Sequence, residues 1–399
     1  MPTTYRGLFR TPEFTPLFAT ASVQIAASTV SGLALGTLVY TATGSPLLSA
    51  LSMFGPSLAQ VIGATVLLSA ADRLPPRAAT AGLALAFGSG TALLAVPGLP
   101  MWAVFTVIMF LGLVGAVGGG VRYGLLSEIL PGEGYLLGRS VLNMSVGAAQ
   151  ICGFAVGGGL VTALSPRGTL LTGAALYLAT AAVARFRLSS RPPRTAGRPS
   201  IAATWRTNAS LWSSRPRRYV YLAMWVPNGL IVGCESLFIP YAPRHAGMLF
   251  AFAAGGMLLG DTLTGRFVPP GLRRTLDAPL RLLLAAPYLV FAAHPGLTIA
   301  VAAITLASIG YSATLLLQER LMALTPKNVH GQALGLHSAG MLTMQGVGAA
   351  LAGAVAQHVS PATAMAVMAA ASVTVTVLLA PGLRGEPAPV PEPSPQSAA

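Results

Sequence analysis

The segment from Arg185 to Arg218 limits what this chain can become more than any other. It reads RFRLSSRPPRTAGRPSIAATWRTNASLWSSRPRR, with nine arginines, four prolines and no acidic residue, and it divides a chain of 399 residues near its centre. The 184 residues before it and the 181 after it are overwhelmingly apolar. Only 9% of the chain is charged and its mean hydropathy is +0.69, whereas soluble domains carry about 25% charged residues. A globule of this size would lack the ions to solvate its surface. The segment therefore reads as a basic linker between two membrane-embedded halves. The 45 glycines and 31 prolines fit the tolerance of membrane helices for both residues, and the apolar content is too high for a disordered chain.

A helix needs roughly 20 apolar residues to cross the hydrocarbon, and that rule gives twelve spans. Spans 1 to 6 cover about 15–40, 46–69, 78–97, 101–128, 136–164 and 168–186. Spans 7 to 12 cover about 219–241, 246–264, 276–294, 297–322, 331–357 and 361–380. The expected fold is an all-α membrane protein with twelve transmembrane helices in two six-helix repeats. Its units are an N-terminal half (1–184), the linker (185–218), a C-terminal half (219–380) and a Pro-rich disordered tail (381–399).

Arginine placement orients the chain. Arg167 and Arg244 are the only strong cations in the connections on one side, whereas Arg6, Arg10, Arg73, Arg77, Arg139, the linker, Arg266, Arg273, Arg274, Lys327 and Arg384 all fall on the other. The positive-inside rule makes the second side cytoplasmic, with both termini inside. The net charge of +14 is then explained by topology and lipid headgroups, and no nucleic-acid partner is expected.

The halves also echo one another. Arg73-Leu74-Pro75-Pro76 follows span 2, and Arg266-Phe267-Val268-Pro269-Pro270 follows span 8. The 4–5 and 10–11 junctions match loosely, each with a proline at the helix exit and a short polar loop before a Gly/Ser-spaced helix. Parallel six-helix repeats characterise one large class of secondary transporters.

At this point the chain resembles the major facilitator superfamily over about 15–380, and within it the drug- and siderophore-exporter branch. The family's motif after span 2, G-x-x-x-D-R-x-G-R-[RK], stands here as Leu68-Ser69-Ala70-Ala71-Asp72-Arg73-Leu74-Pro75-Pro76-Arg77. Asp72, Arg73 and Arg77 match, while Leu68, Pro75 and Pro76 depart. The exporters' span 5 motif, ending G-P-x-x-G-G, stands as Gly153-Phe154-Ala155-Val156-Gly157-Gly158, with its glycines kept and its proline gone. The resemblance implies alternating access, a midplane substrate site between the halves and a latch role for Asp72 and Arg77.

Ionisable residues in spans are functional candidates because burying them is unfavourable. Asp72, Arg73, Arg77, Arg122 and Glu128 all fall near the inner face, where acids and arginines of spans 2 and 4 can pair as a latch or as a permanent structural cluster. Glu235 falls well inside span 7 with no arginine nearby in sequence. A carboxylate withdrawn from water is the natural carrier of a coupled proton. Asp261, near the inner end of span 8, is either a second coupling acid or a structural partner of Arg266, Arg320 or Lys327. Arg281 is expected to snorkel to the inner face.

Uncharged polar residues supply candidates for the substrate cavity: Gln24 and Ser28 in span 1, Gln60 in span 2, and Asn143 and Gln150 in span 5. The second half adds Asn228, Tyr311, His337 and Gln345. Gln24 and Ser28 share a helix face at a spacing of four. Each of these polar side chains has the alternative of a plain helix–helix hydrogen bond.

No Walker loop, metal-ligand spacing or hydrolase motif is present. No enzyme activity, metal or organic cofactor is expected, and the proton gradient is the expected energy source. The leading function is proton-coupled export of a small amphiphilic molecule by a monomer in the cytoplasmic membrane. An importer or uniporter, and a transport-dead sensor or scaffold, remain as alternatives.

Overall fold

The computed structural model describes residues 5–67, 74–130, 133–192, 201–326 and 329–383. Among them there is no strand. Ten helices are long and apolar enough to cross a membrane. One of these, Leu137–Arg187, is 51 residues long and belongs to a helix broken at Ser165, so it makes two crossings. The twelfth is Pro76–Leu94, 19 residues, whose threonines, serine and glycines dilute its apolarity. The fold is thus twelve membrane helices.

Span 1 is Phe14–Thr43, after a short helix Tyr5–Arg10. Span 2 is Pro46–Leu67, span 3 Pro76–Leu94 and span 4 Met101–Ile129. Spans 5 and 6 are the two arms of Glu133–Arg187. Span 7 is Arg215–Ser236, extended by Phe238–Tyr241, and span 8 is Ala246–Phe267. Span 9 starts as the helix Pro270–Leu283 and ends as the 3₁₀ turn Ala286–Ala293. Span 10 is Leu297–Gly310 followed by Ala313–Ala323. Span 11 is His330–Val355 and span 12 Pro361–Leu379.

Local chemistry sets the turns. Gly44 closes span 1 at φ 65°, and its N–H donates to Tyr40 O at 2.8 Å, because a residue without Cβ enters the left-handed region freely. Ser165 takes φ 70° despite its side chain. Its Oγ accepts from the Gly168 N–H at 3.4 Å, and Pro166 follows in the first helical position, which needs no N–H. Spans 5 and 6 therefore meet at a single bent residue, where the sequence predicts a short loop. The tail also differs from expectation. Ala380–Leu383 forms a 3₁₀ turn with Leu383 buried against the Val220–Trp225 stretch of span 7, while 384–399 lie outside the described residues.

Both termini of the described chain and the linker lie at one end of the bundle, called here the linker face. Close approaches between the halves fall between mid-depth and the opposite face. Span 5 meets span 8 where a Cβ on Gly247 would stand 2.6 Å from Gly158 Cα, so only glycine fits. Phe154 stacks on Phe250 beside it, with ring centroids 4.8 Å apart. Span 11 meets span 2 through Gly346 on Leu58 and Gly353 on Leu47, and Gln357 Nε2 donates to Ser45 Oγ at 2.6 Å. Toward the linker face the named ion pairs stay within one half. Arg191 bridges Glu13 (2.7 Å) and Glu128 (3.5 Å), and Arg273 pairs with Glu319 at 3.0 Å.

The linker helix Ile201–Ser213 does more than rest on lipid. Leu211 is buried, Trp212 stacks on Trp225 of span 7 at 5.6 Å, and Gln332 of span 11 donates to Asn208 at 2.7 Å. Trp205 stays exposed. The helix is docked on the second half.

Candidate functional site

Glu235 lies in the last turns of span 7, where tight packing withdraws it from solvent. It is 7% exposed and flanked by Cys234, whose thiol donates to Met365 O at 3.3 Å. Tyr288, from the 3₁₀ part of span 9, lies in the same buried cluster as Cys234, and Tyr311, at the break in span 10, packs against that cluster. Among the described residues it has no ion-pair partner. Along their helices Glu235 falls toward the opposite face and Asp261 toward the linker face.

The irregular backbone of spans 9 and 10 makes this arrangement possible. Pro287 lacks an N–H to continue the helix, so span 9 tightens to 3₁₀ geometry after Leu284. At the same depth Gly310 lets span 10 press on Leu280 O and Leu284 N of span 9. Thr264 of span 8 donates to Ser312 Oγ at 2.9 Å, tying the break to the helix that carries Asp261.

Asp261 does not pair with Arg266, which is exposed and lies over Phe267; its Oδ1 is buried without a hydrogen-bond partner. Lys327 lies outside the described residues. Nor does Arg281 snorkel. It is 5% exposed and pairs with Asp277 at 2.9 Å. The acid four residues earlier was the sequence signal for this pair, and sequence reasoning passed over it.

Of the latch residues, Asp72 and Arg73 lie outside the described residues. Arg77 begins span 3, half-buried. Glu128 joins Arg191 at the start of the linker. Arg122 stands apart from them, in a narrow cleft with Gln24, Thr20 and Thr80.

The polar candidates scatter. Tyr123 donates to Asn143 at 3.0 Å, Asn228 donates to the Met341 sulfur at 3.3 Å, and His337 faces Gln318 at 3.2 Å. Each joins two helices. Gln150 and Gln345 are half-buried in spans 5 and 11. Ser28 and Gln60 share a different environment, a partly open cavity of about 290 Å³ lined by spans 1, 2, 3, 4 and 6 of the first half. Its wall includes Tyr177 stacked on Phe87, centroids 5.4 Å apart. Sequence reasoning missed this wall, because serines, threonines and aromatics pack membrane helices in the same pattern.

Solved structures decide the type of fold. The chain superposes on the nucleoside transporter NupG with a TM-score of 0.76 at 13% identity, covering 93% of this chain and 100% of that one. It has a major facilitator fold. A POT family transporter in complex with 5-aminolevulinic acid gives a TM-score of 0.73 at 12% identity, covering 93% of this chain and 96% of the other. An inward-facing, unoccupied bacterial homolog of the human lysosomal transporter Spinster gives 0.68 at 15%, over 94% and 95% of the two chains. No family model matches the sequence, and no curated protein matches it. Among the described residues, the named close approaches between the halves lie from mid-depth to the opposite face.

Proposed function

We propose that the protein is a secondary transporter of the cytoplasmic membrane that exports a small amphiphilic molecule in exchange for protons. The twelve-helix arrangement in two halves supports alternating access. The arginine asymmetry supports placing the linker face in the cytoplasm, in which case the close approaches between the halves lie toward the outside. The glycines kept at Gly153, Gly157 and Gly158 support export. The observation that carries proton coupling is Glu235, held away from water inside a membrane helix with no cation beside it. Asp261 is the second coupling acid. Asp72, Arg73, Arg77, Arg122 and Glu128 remain the proposed group that biases the inner side between open and closed.

Everted vesicles loaded with purified protein test this reading. A solute panel is followed together with the proton flux each solute drives. Glu235→Gln is expected to keep solute exchange down a gradient and to lose uphill, proton-driven uptake into the vesicles. Unchanged concentrative uptake with unchanged pH dependence in that variant would sink the assignment of Glu235.

A further inference from the structure

The space between spans 1, 2, 3, 4 and 6 is a partly open pocket and not a sealed void, so a guest can reach it. Well-packed interiors hold few voids larger than a water molecule, and small-molecule sites begin at about 300 Å³; this one is about 290 Å³. Its chemistry is one-sided. Among the described residues, no Asp, Glu, Lys, Arg or His lines it. The polar groups come from four of the five surrounding helices: Ser28 and Ser31, Ser57 and Gln60, Thr91, and Tyr177. The Ser31 hydroxyl is not free for a guest: it is fully covered and packs against Gly173 of span 6, where only glycine leaves room for it. The stacked Phe87 and Tyr177 rings add a flat apolar wall. Gly115 keeps space open beside Phe87, whose Cζ would stand 3.2 Å from a Cβ there.

We infer that this cavity is a ligand site for an uncharged, hydroxyl-bearing ring compound of about the size of a monosaccharide or nucleoside. Hydroxyls and the Gln60 amide exchange hydrogen bonds with the guest's hydroxyls, and its ring lies against the aromatic wall. A charged guest would meet no counter-ion in the wall, and its desolvation would go uncompensated. The site lies in one half only, so the guest binds without the second half closing over it. Taking the guest as the transported substrate rests on the proposed transport function; the binding itself does not.

Gly32 provides the decisive variant. It lines the cavity, and a Cβ at this position would meet nothing within 4 Å, so Gly32→Leu fills the space from a helix position that tolerates a side chain. Purified protein in detergent is titrated by calorimetry with a phenyl glycoside, inositol and uridine, and with glutamate, lysine and choline. At least one of the uncharged compounds is expected to bind, none of the charged ones to do so, and Gly32→Leu to abolish the binding. Ser28→Ala and Ser57→Ala are expected to weaken it about fivefold each, the effect of one lost hydrogen bond. Trp205→Ala, on the exposed side of the linker helix, is expected to bind as the parent does. Binding of charged compounds alone, no binding at all, or unchanged affinity in Gly32→Leu overturns the inference. Should Gly32→Leu fail to fold, unchanged affinity in both serine variants overturns it instead. Binding that obeys these rules with no flux in vesicles would leave the site standing and remove the transport reading. Proton-linked flux of a charged solute alone would do the reverse.

Discussion

Arg281 lies eleven residues into span 9 from Pro270, about 16 Å from the linker-face end at 1.5 Å per residue. At that depth a lone guanidinium would be expensive, and Asp277 is its remedy, although Nε and Nη1 still lack partners. Removing one member of a buried pair leaves an uncompensated charge, whereas replacing both with apolar groups is often neutral. Asp277→Asn is therefore expected to lower unfolding stability by about 3 kcal/mol, read by denaturation in detergent. Asp277→Asn combined with Arg281→Met should recover most of that loss; equal losses in both would show that the pair contributes through something other than charge compensation. At this scale the sequence was legible in type and not in partner. Glu235 stood out as an acid in an apolar run, but the tyrosines in the cluster of its neighbour Cys234 come from spans 9 and 10, and only the breaks in those spans bring them near.

Span 5 shows how one helix serves two interfaces. Gly153 and Gly157 press on Thr29 and Val30 of span 1, while Gly158 presses on Gly247 of span 8. The glycine spacing was visible in the sequence; which helix each glycine met was not, since a small-residue stripe names no partner. The span 5–span 8 contact joins the halves, so it exists in only one arrangement of them. Gly247→Val overpacks that arrangement at a cost of about 1–3 kcal/mol, a population shift of roughly 5- to 150-fold toward an opened opposite face. Spin labels at Thr162→Cys and Arg244→Cys, in a Cys152→Ser background, are expected to report a longer distance than in the parent with the same labels. An unchanged distance would mean that the contact adapts and seals nothing. The linker helix offers a simpler case. Its two tryptophans predict a membrane-surface helix, but the protein offers Trp212 a better surface in Trp225. Trp212→Ala is expected to lose about 1 kcal/mol of stacking and to speed tryptic cleavage within 185–218, with Trp205→Ala as the near-neutral control.

For the whole molecule, length and hydropathy carried most of the fold, since twelve apolar runs parted by short polar segments admit few arrangements in a membrane. Conformation was not legible, because the spacing of the apolar runs does not say how closely the halves approach at either face. Orientation rests on arginine counts and is tested by Ala209→Cys on the exposed side of the linker helix. An impermeant maleimide is expected to label it only after cells are permeabilised, and labelling in intact cells would invert the topology. The opposite face has a further consequence. Its connections are two residues between Thr43 and Pro46, six between Leu94 and Met101, the lone bend at Ser165, and three short turns in the second half. A typical antibody footprint covers about 800 Å² on each partner, and turns this short give it little to hold. Seen from that side the protein is nearly blank: immunisation with whole cells should raise few antibodies to it, and proteases added outside should leave the chain uncut.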